Sequence, residues 1–258
     1  MHNRLISLTF SHYNEKARWA LDICGIPYVE EKYMPAFSSL AVMRATRFAG
    51  GSNDKVSTKY STPLLILADG THLHDSTEIC RWAATQAGLD LYPDNEVTEL
   101  ERHFHDRVGP NTRRVAYGVA FDDPQLLFRI AESNVSRRQA RVFRALFPLV
   151  LRRVRGGLGV EPERIEKSQG HIRNEFDATA ERLGDREYLV GDTFTAADLT
   201  WACMVVPAIL VSPEEGFGAT LPTIDEVPEE AAELVRELRA HPAGQHALRM
   251  FREHRAAA

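Results

Sequence analysis

Apolar residues crowd the run from Arg4 to Phe10, where Leu5, Ile6, Leu8 and Phe10 predict a short strand that stops at Ser11-His12-Tyr13-Asn14. The period then changes. Ala17, Ala20, Leu21 and Cys24 fall at i, i+3, i+4 and i+7, one stripe of a helix, and Gly25 follows where a left-handed cap is wanted. Tyr28 to Tyr33 predicts a strand whose alternation is broken by Glu30-Glu31-Lys32, which places it at a sheet edge. The stretch from Met34 to Ser61 is mixed, with one helix expected over Leu40 to Phe48 and a flexible Gly50-Gly51-Ser52-Asn53-Asp54. Pro63 to Leu67 and Thr71 to His74 then predict an antiparallel hairpin with a tight primed turn at Asp69-Gly70. A proline opens that hairpin. It cannot donate to a ladder, so it belongs at a strand start or an edge, and Thr62-Pro63 is a candidate cis bond.

From Asp75 the helical period returns through Ile79, Trp82 and Ala83 and ends near Gly88. Beyond Pro93-Asp94-Asn95-Glu96 strand signals nearly vanish, and helices are expected near 97–117, 124–133, 136–155, 162–183, 195–211 and 228–254. The chain therefore divides into an α/β unit, residues 1–92, a linker, 93–96, and an all-helical unit, 97–258.

Three local features carry candidate chemistry. Ser11 to Asn14 lies between a strand and a helix, where unpaired N–H groups and the helix dipole favour an anion; the plainer reading is that Ser11 or Asn14 is an N-cap. Thr62-Pro63, if cis, leaves the Thr62 backbone free to pair with an extended ligand; otherwise it is an ordinary strand start. Asp75-Ser76-Thr77-Glu78 is a capping-box-like start that could also hold a carboxylate on Ser76 while Asp75 accepts from an ammonium.

Together, Phe10 to Leu21 (FSHYNEKARWAL), Thr62 to Leu65 (TPLL) and Asp75 to Ile79 (DSTEI) resemble the glutathione transferase family, as does Gly191 to Asp198 (GDTFTAAD) in the helical unit. The resemblance covers essentially the whole chain. It implies an α/β thioredoxin-like N-terminal domain followed by an all-α helical C-terminal domain. In the last motif Thr195 and Asp198 are spaced as a reciprocal capping box with Phe194 and Leu199 as the hydrophobic staple, a structural role.

Carried over residue by residue, the resemblance puts Ser11 at the catalytic position, Thr62 and Pro63 against the cysteinyl part of glutathione, and Asp75 and Ser76 against its γ-glutamyl end. Ser11 and Asn14 occupy the two positions that are cysteines in redox-active relatives, so exchange through a protein dithiol is unavailable and conjugation or isomerisation is favoured. Tyr13 is the rival for the hydroxyl role. The electrophile site is expected between the two units, along the 34–61 segment and the first helix of the helical unit, with Tyr13, Phe37, Phe104, Arg107 and Tyr117 as candidates. The implied activity is a glutathione transferase that activates glutathione, as co-substrate, and adds it to a small apolar electrophile, working as a homodimer. A non-catalytic binding or scaffold protein of the same fold and a thiol-dependent isomerase or lyase are the alternatives.

Composition narrows this further. A net charge of −5 over 258 residues gives no overall pull toward nucleic acid. Cys24, Cys80 and Cys203 are an odd, dispersed set with no CxxC pair, and with no long apolar run the expected setting is cytoplasmic, away from membranes. The ten histidines show no HExxH spacing, so no metal is expected, and no phosphate-binding glycine motif is present. The charge is unevenly spread: 136–155 holds seven Arg and no acid, whereas 213–237 holds eight acids and one Arg. The basic run is amphipathic and could meet a membrane or an acidic ligand; the plainer expectation is that its arginines face solvent or the acidic segment.

Overall fold

The computed structural model describes residues 2–47, 60–158 and 160–255; side chains at 150 and 152–158 also lie outside the description. Two features of the sequence reading lie outside the described residues and side chains: the segment Gly50 to Asp54, and the arginines Arg152, Arg153 and Arg155. The strands are β1 (Asn3–Leu8), β2 (Tyr28–Tyr33), β3 (Leu64–Ile66) and β4 (His72–Leu73), in the sheet order β2-β1-β3-β4. β1 runs parallel to β2 and antiparallel to β3, which is antiparallel to β4. The weakly alternating 28–33 strand is indeed at the edge.

The hairpin turn differs from expectation. Leu67 N–H donates to the Thr71 carbonyl and Gly70 N–H to the Leu67 carbonyl, and Gly70 takes φ of 91° while Asp69 stays outside the left-handed region. That is a three-residue connection with a single left-handed glycine, held by Asp69 Oδ1 accepting from Thr71 N–H at 2.8 Å, rather than a two-residue primed turn.

Helices α1 (His12–Ile23), α2 (Phe37–Ala45) and α3 (Ser76–Ala87) complete the first unit. The second contains α4 (Asn95–His103), a π-helical turn (Phe104–Val108) and α5 (Gly109–Asp122) in one continuous path, then α6 (Pro124–Asn134), α7 (Arg137–Leu158), α8 (Pro162–Leu183) and α9 (Ala196–Ile209). α10 (Glu229–Ala240) and α11 (Pro242–Met250), followed by a π-helical turn (Phe251–Arg255), replace the single helix expected over 228–254. The break has a local cause. His241 is extended at φ −67° and ψ 143°, as a residue before proline prefers, and Pro242 opens the next helix. α9 starts with the expected reciprocal box: Asp198 Oδ2 accepts from Thr195 N–H at 3.1 Å and Thr195 Oγ1 from Ala197 N–H at 3.3 Å. α9 is almost wholly buried and forms the axis of the helical unit.

The two units share one core, because Leu5, Trp19 and Leu65 belong to the same apolar cluster as Phe104, Trp201 and Phe251. α1 is the element both units enclose, and it carries charge into the interior. Lys16 is fully buried, with Nζ 2.8 Å from Glu101 Oε1 and 2.8 Å from Thr77 Oγ1. Glu101 also accepts from Tyr92 Oη at 2.6 Å and Arg81 Nη2 at 2.9 Å. Glu15, equally buried, accepts from Arg18, from the Gly218 N–H and from Arg255 near the chain end. Burial raises the Glu15 pKa, but Arg18 and Arg255 outweigh it, leaving the carboxyl below its usual range.

α6 and α7 form a helical hairpin with a smaller cluster of their own, in which Leu127, Ile130, Phe143 and Phe147 pack with Met34. Gln139 on α7 anchors it to the end of β2, accepting from Met34 N–H at 2.7 Å and donating to the Lys32 carbonyl at 3.2 Å. Among the described residues no arginine of α7 pairs with the acidic 213–237 segment: Arg144 lies near Glu132, while Glu215, Glu226 and Glu237 meet Arg239, Arg129 and Arg173. No helix among the described residues is long and apolar enough to cross a membrane.

Removing one partner of a buried pair leaves an uncompensated charge, at a cost of about 3–5 kcal/mol. Glu101→Leu should therefore lower unfolding free energy by about 3 kcal/mol in urea titration, and adding Lys16→Met should recover most of it. A single-variant loss below about 1 kcal/mol would show that Lys16 does not depend on Glu101.

Candidate functional site

Between the sheet and the helical unit lies a cavity of about 640 Å³. Its polar end is built by the first unit. Leu8 hands the chain to α1 through Ser11, which takes the N-cap position at φ −79° and ψ 129°, yet makes no side-chain cap hydrogen bond. Among the described residues the hydroxyl is thus left uncommitted at the positive end of α1, on the cavity wall. Asn14 is fully buried and ties this corner together: its Oδ1 accepts from Leu8 N–H and its Nδ2 donates to Thr62 Oγ1, both at 3.3 Å. Neither Ser11 nor Asn14 is a side-chain cap. The Thr62–Pro63 bond is cis, and both residues line the cavity, just ahead of the first β3 residue.

Asp75 caps α3 through Thr77 N–H at 2.7 Å, and Glu78 reaches back to His74 N–H at 2.8 Å, one residue beyond the position a strict capping box would use. The next side chain is the unusual one. Ser76 is fully buried, and its Oγ has no hydrogen-bond partner among the described residues. A hydroxyl in that state costs stability unless a ligand completes it.

The sequence-named residues thus divide. Ser11, Tyr13, Thr62, Pro63, Asp75 and Tyr117 line the cavity, and Ser76 sits one residue behind Asp75 at the start of α3. Three electrophile-site candidates do not line it. Phe37 faces a separate hollow beside Arg4, Tyr33 and Gln139, because α2 begins at Phe37 and turns that ring away. Phe104 is buried against Trp201 in the core, with ring centroids 5.1 Å apart. Arg107 is exposed on the far side of the π-helical turn.

Tyr13 lines the cavity but is engaged. Its hydroxyl donates to the His105 carbonyl at 3.0 Å, and burial pushes its pKa far above the ordinary value. Gly109 makes this possible: a Cβ there would stand 2.5 Å from Tyr13 Oη and 2.7 Å from Met204 Sδ.

Sequence reasoning missed His105 and Arg113, and the apolar wall formed by Leu126, Leu127 and Ile130 of α6 with Leu234 and Val235 of α10. His105 Nε2 lies 3.6 Å from Asp75 Oδ2. Its residue type was visible, but its direction depends on the π-helical turn, which carries no sequence signal of its own. Burial lowers the pKa of His105, and burial followed by the Arg113 and His105 charges lowers that of His12. Both are neutral at pH 7. The cysteines are buried elsewhere, with burial raising Cys24 to about 11 and Cys80 to about 12, so none is a ready thiolate. Among the described residues no group of three or more His, Cys, Asp or Glu could hold a metal ion.

Residues 10–86 match the model "Glutathione S-transferase, N-terminal domain" and residues 162–243 match "Glutathione S-transferase, C-terminal domain". The chain belongs to the glutathione S-transferase family. Among solved structures, the fold of this transferase relative is similar to a glutathione S-transferase from Ceriporiopsis subvermispora in complex with glutathione, with TM-score 0.59, 17% identity and 98% of each chain covered. It is also similar to one from Methylobacterium radiotolerans in complex with glutathione sulfonate, with TM-score 0.51 and 20% identity over 96% of this chain and 95% of that one. A third, from Burkholderia graminis with two glutathione molecules bound per subunit, gives TM-score 0.57 and 17% identity over 96% and 82%. These likenesses show the fold: a thioredoxin-like α/β unit followed by a helical one. Comparison with curated proteins finds no match.

Two buried neutral histidines make a pH test. With folded pKa values below the unfolded one, near 6.5, the unfolded chain takes up protons first, so stability falls as pH drops through about 6.5 toward the folded pKa. Melting temperature should decline from pH 7.5 to 5.5, and His12→Asn should flatten that slope. A wild-type melting temperature that stays constant over this range contradicts the assignment.

Proposed function

We propose that this family member is a glutathione transferase in which glutathione binds at the polar end of the cavity, is held as thiolate, and attacks a small apolar electrophile in the remainder. The observation that carries this reading is the free Ser11 hydroxyl at the start of α1, on the same cavity as Thr62, cis-Pro63 and Asp75. Thr62 and Pro63 would meet the cysteinyl part of the tripeptide. Asp75 would accept from the γ-glutamyl ammonium, while the unpartnered Ser76 Oγ and the N–H groups opening α3 would take its carboxylate.

The chemistry needs little else. A free thiol has a pKa near 8.5, so only a few per cent is thiolate at neutral pH. A hydrogen bond from Ser11 and the α1 dipole need lower it by about 2 units, roughly 2.7 kcal/mol, to make most of the sulfur nucleophilic. The sulfur comes with glutathione, since every cysteine of the chain is buried. Ser11 donates and is not itself the nucleophile. Tyr13 is the weaker choice, because its only proton already goes to the His105 carbonyl. The apolar walls of α5, α6 and α10 suit an apolar second substrate. Homodimerisation follows from the family resemblance, and light scattering should give twice the 29.0 kDa chain mass.

Ser11→Ala should lower kcat/KM for glutathione conjugation with a benzyl halide by about a hundredfold, and Tyr13→Phe by less than tenfold. Full activity in Ser11→Ala would overturn the assignment. Glutathione at a hundred times its Kd should stabilise the protein by about 2.7 kcal/mol in thermal unfolding. Absence of any shift at millimolar glutathione would remove the glutathione-dependent reading altogether.

A further inference from the structure

Arg113 is the one lysine or arginine among the described residues lining the cavity. It is half-buried on α5, and no carboxylate stands within ion-pair distance of its guanidinium among the described residues. Among the described residues its close partner is the face of Tyr13, 5.8 Å from the guanidinium carbon to the ring centre, at the outer limit of a cation–π contact. Its neighbour Arg114 shows what a structural arginine looks like in the same helix: it donates to Asn111 at 3.1 Å and to Ser168 at 2.7 Å. Arg113 has five donors and no such acceptor.

Position separates it from the end that would hold the γ-glutamyl group. His105 stands beside Asp75, and Arg113 follows eight residues later on the same helical path, about 12 Å along its axis at 1.5 Å per residue. Around it the wall is apolar, with Val115, Ala116 and Tyr117 of α5 and the α6 and α10 side chains named above. An unpaired guanidinium on an apolar wall attracts an anion strongly, because the surroundings screen it less than water would. Arginine also matches a carboxylate bidentately, in a way no lysine can.

We propose that Arg113 is a specificity-determining residue, and that the second substrate is an apolar electrophile carrying a carboxylate that pairs with it. This rests on the transferase reading above. The thiolate sulfur forms the new bond to the electrophilic carbon as that carbon's leaving group departs with the bonding pair, and the carboxylate takes no part in the exchange. Arg113 positions it.

The test uses product-like conjugates, which need no turnover: S-(4-carboxybenzyl)glutathione and S-(5-carboxypentyl)glutathione, each against its methyl ester at that carboxyl, with glutathione alone as reference. Calorimetric Kd values on the wild-type protein should favour the carboxylate over the ester by about tenfold or more for at least one pair. Arg113→Met should bring that ratio close to one, and Arg113→Lys should leave the carboxylate the tighter ligand. The ester is the internal control for misfolding, since a damaged protein loses both members of a pair. No preference in the wild type, or one that survives Arg113→Met, overturns the proposal while glutathione binding keeps the transferase reading. An equal loss for glutathione and both members of a pair, in a variant whose melting temperature matches the wild type, would assign Arg113 to the tripeptide and also overturn it. If neither glutathione nor any conjugate binds, the transferase reading falls and the proposal falls with it.

Discussion

α1 carries Glu15, Lys16 and Arg18 into an interior where none of them can meet water, and much of the architecture follows from where their partners come from. Glu101 on α4 and Thr77 on α3 answer Lys16; Gly218 and Arg255 answer Glu15; Glu30 and the Thr9 carbonyl answer Arg18. An unpaired charge at this depth would cost more than a small unit can lose, so the sheet unit is complete only when the helical unit is docked on it. A neutral contact adds to this: the Tyr13 hydroxyl ties the start of α1 to the π-helical turn ahead of α5 by donating to the His105 carbonyl.

The cavity is a consequence of that docking. Its polar end comes from three chain segments that meet at one corner of the sheet, and its apolar walls come from helices of the other unit, so neither half has a complete site alone. Asn14 has a structural part at this corner. It acts as a strut between Leu8 and Thr62.

Local features were legible in the sequence; their meeting points were not. The edge strand at 28–33, the helix at 162–183 and the capping box at Thr195 and Asp198 are set by period and end chemistry, and each appears where those signals put it. The cis bond before Pro63 and the helix start after Asp75 belong to the same class. Phe37, Phe104 and Arg107 lie off the cavity for a common reason: their position along the chain is readable, but not the direction of their side chains. For Phe104 and Arg107 that direction depends on a π-helical turn, which shifts every later residue of the path by a fraction of a turn. Pro242 was a readable break that the apolar period of 228–254 masked. The α6 wall was out of reach because only tertiary packing lays that helix over the cavity.

The helical hairpin of α6 and α7 lies wholly between the two matched stretches, which end at residue 86 and resume at 162. It brings Leu126, Leu127 and Ile130 to the cavity, keeps its own small core, and is fastened at Gln139 to the far end of β2. Among the described residues no hydrogen bond or ion pair runs from it to Ser11, Glu15, Lys16 or Arg18. Substitutions on the inner face of α6 can therefore reshape the apolar part of the cavity while the corner built by Ser11, Thr62 and Asp75 and the fold's central ion pairs stay as they are. The hairpin is a wall set between the two matched stretches, and its inner face can change without disturbing the pairs that hold the units together.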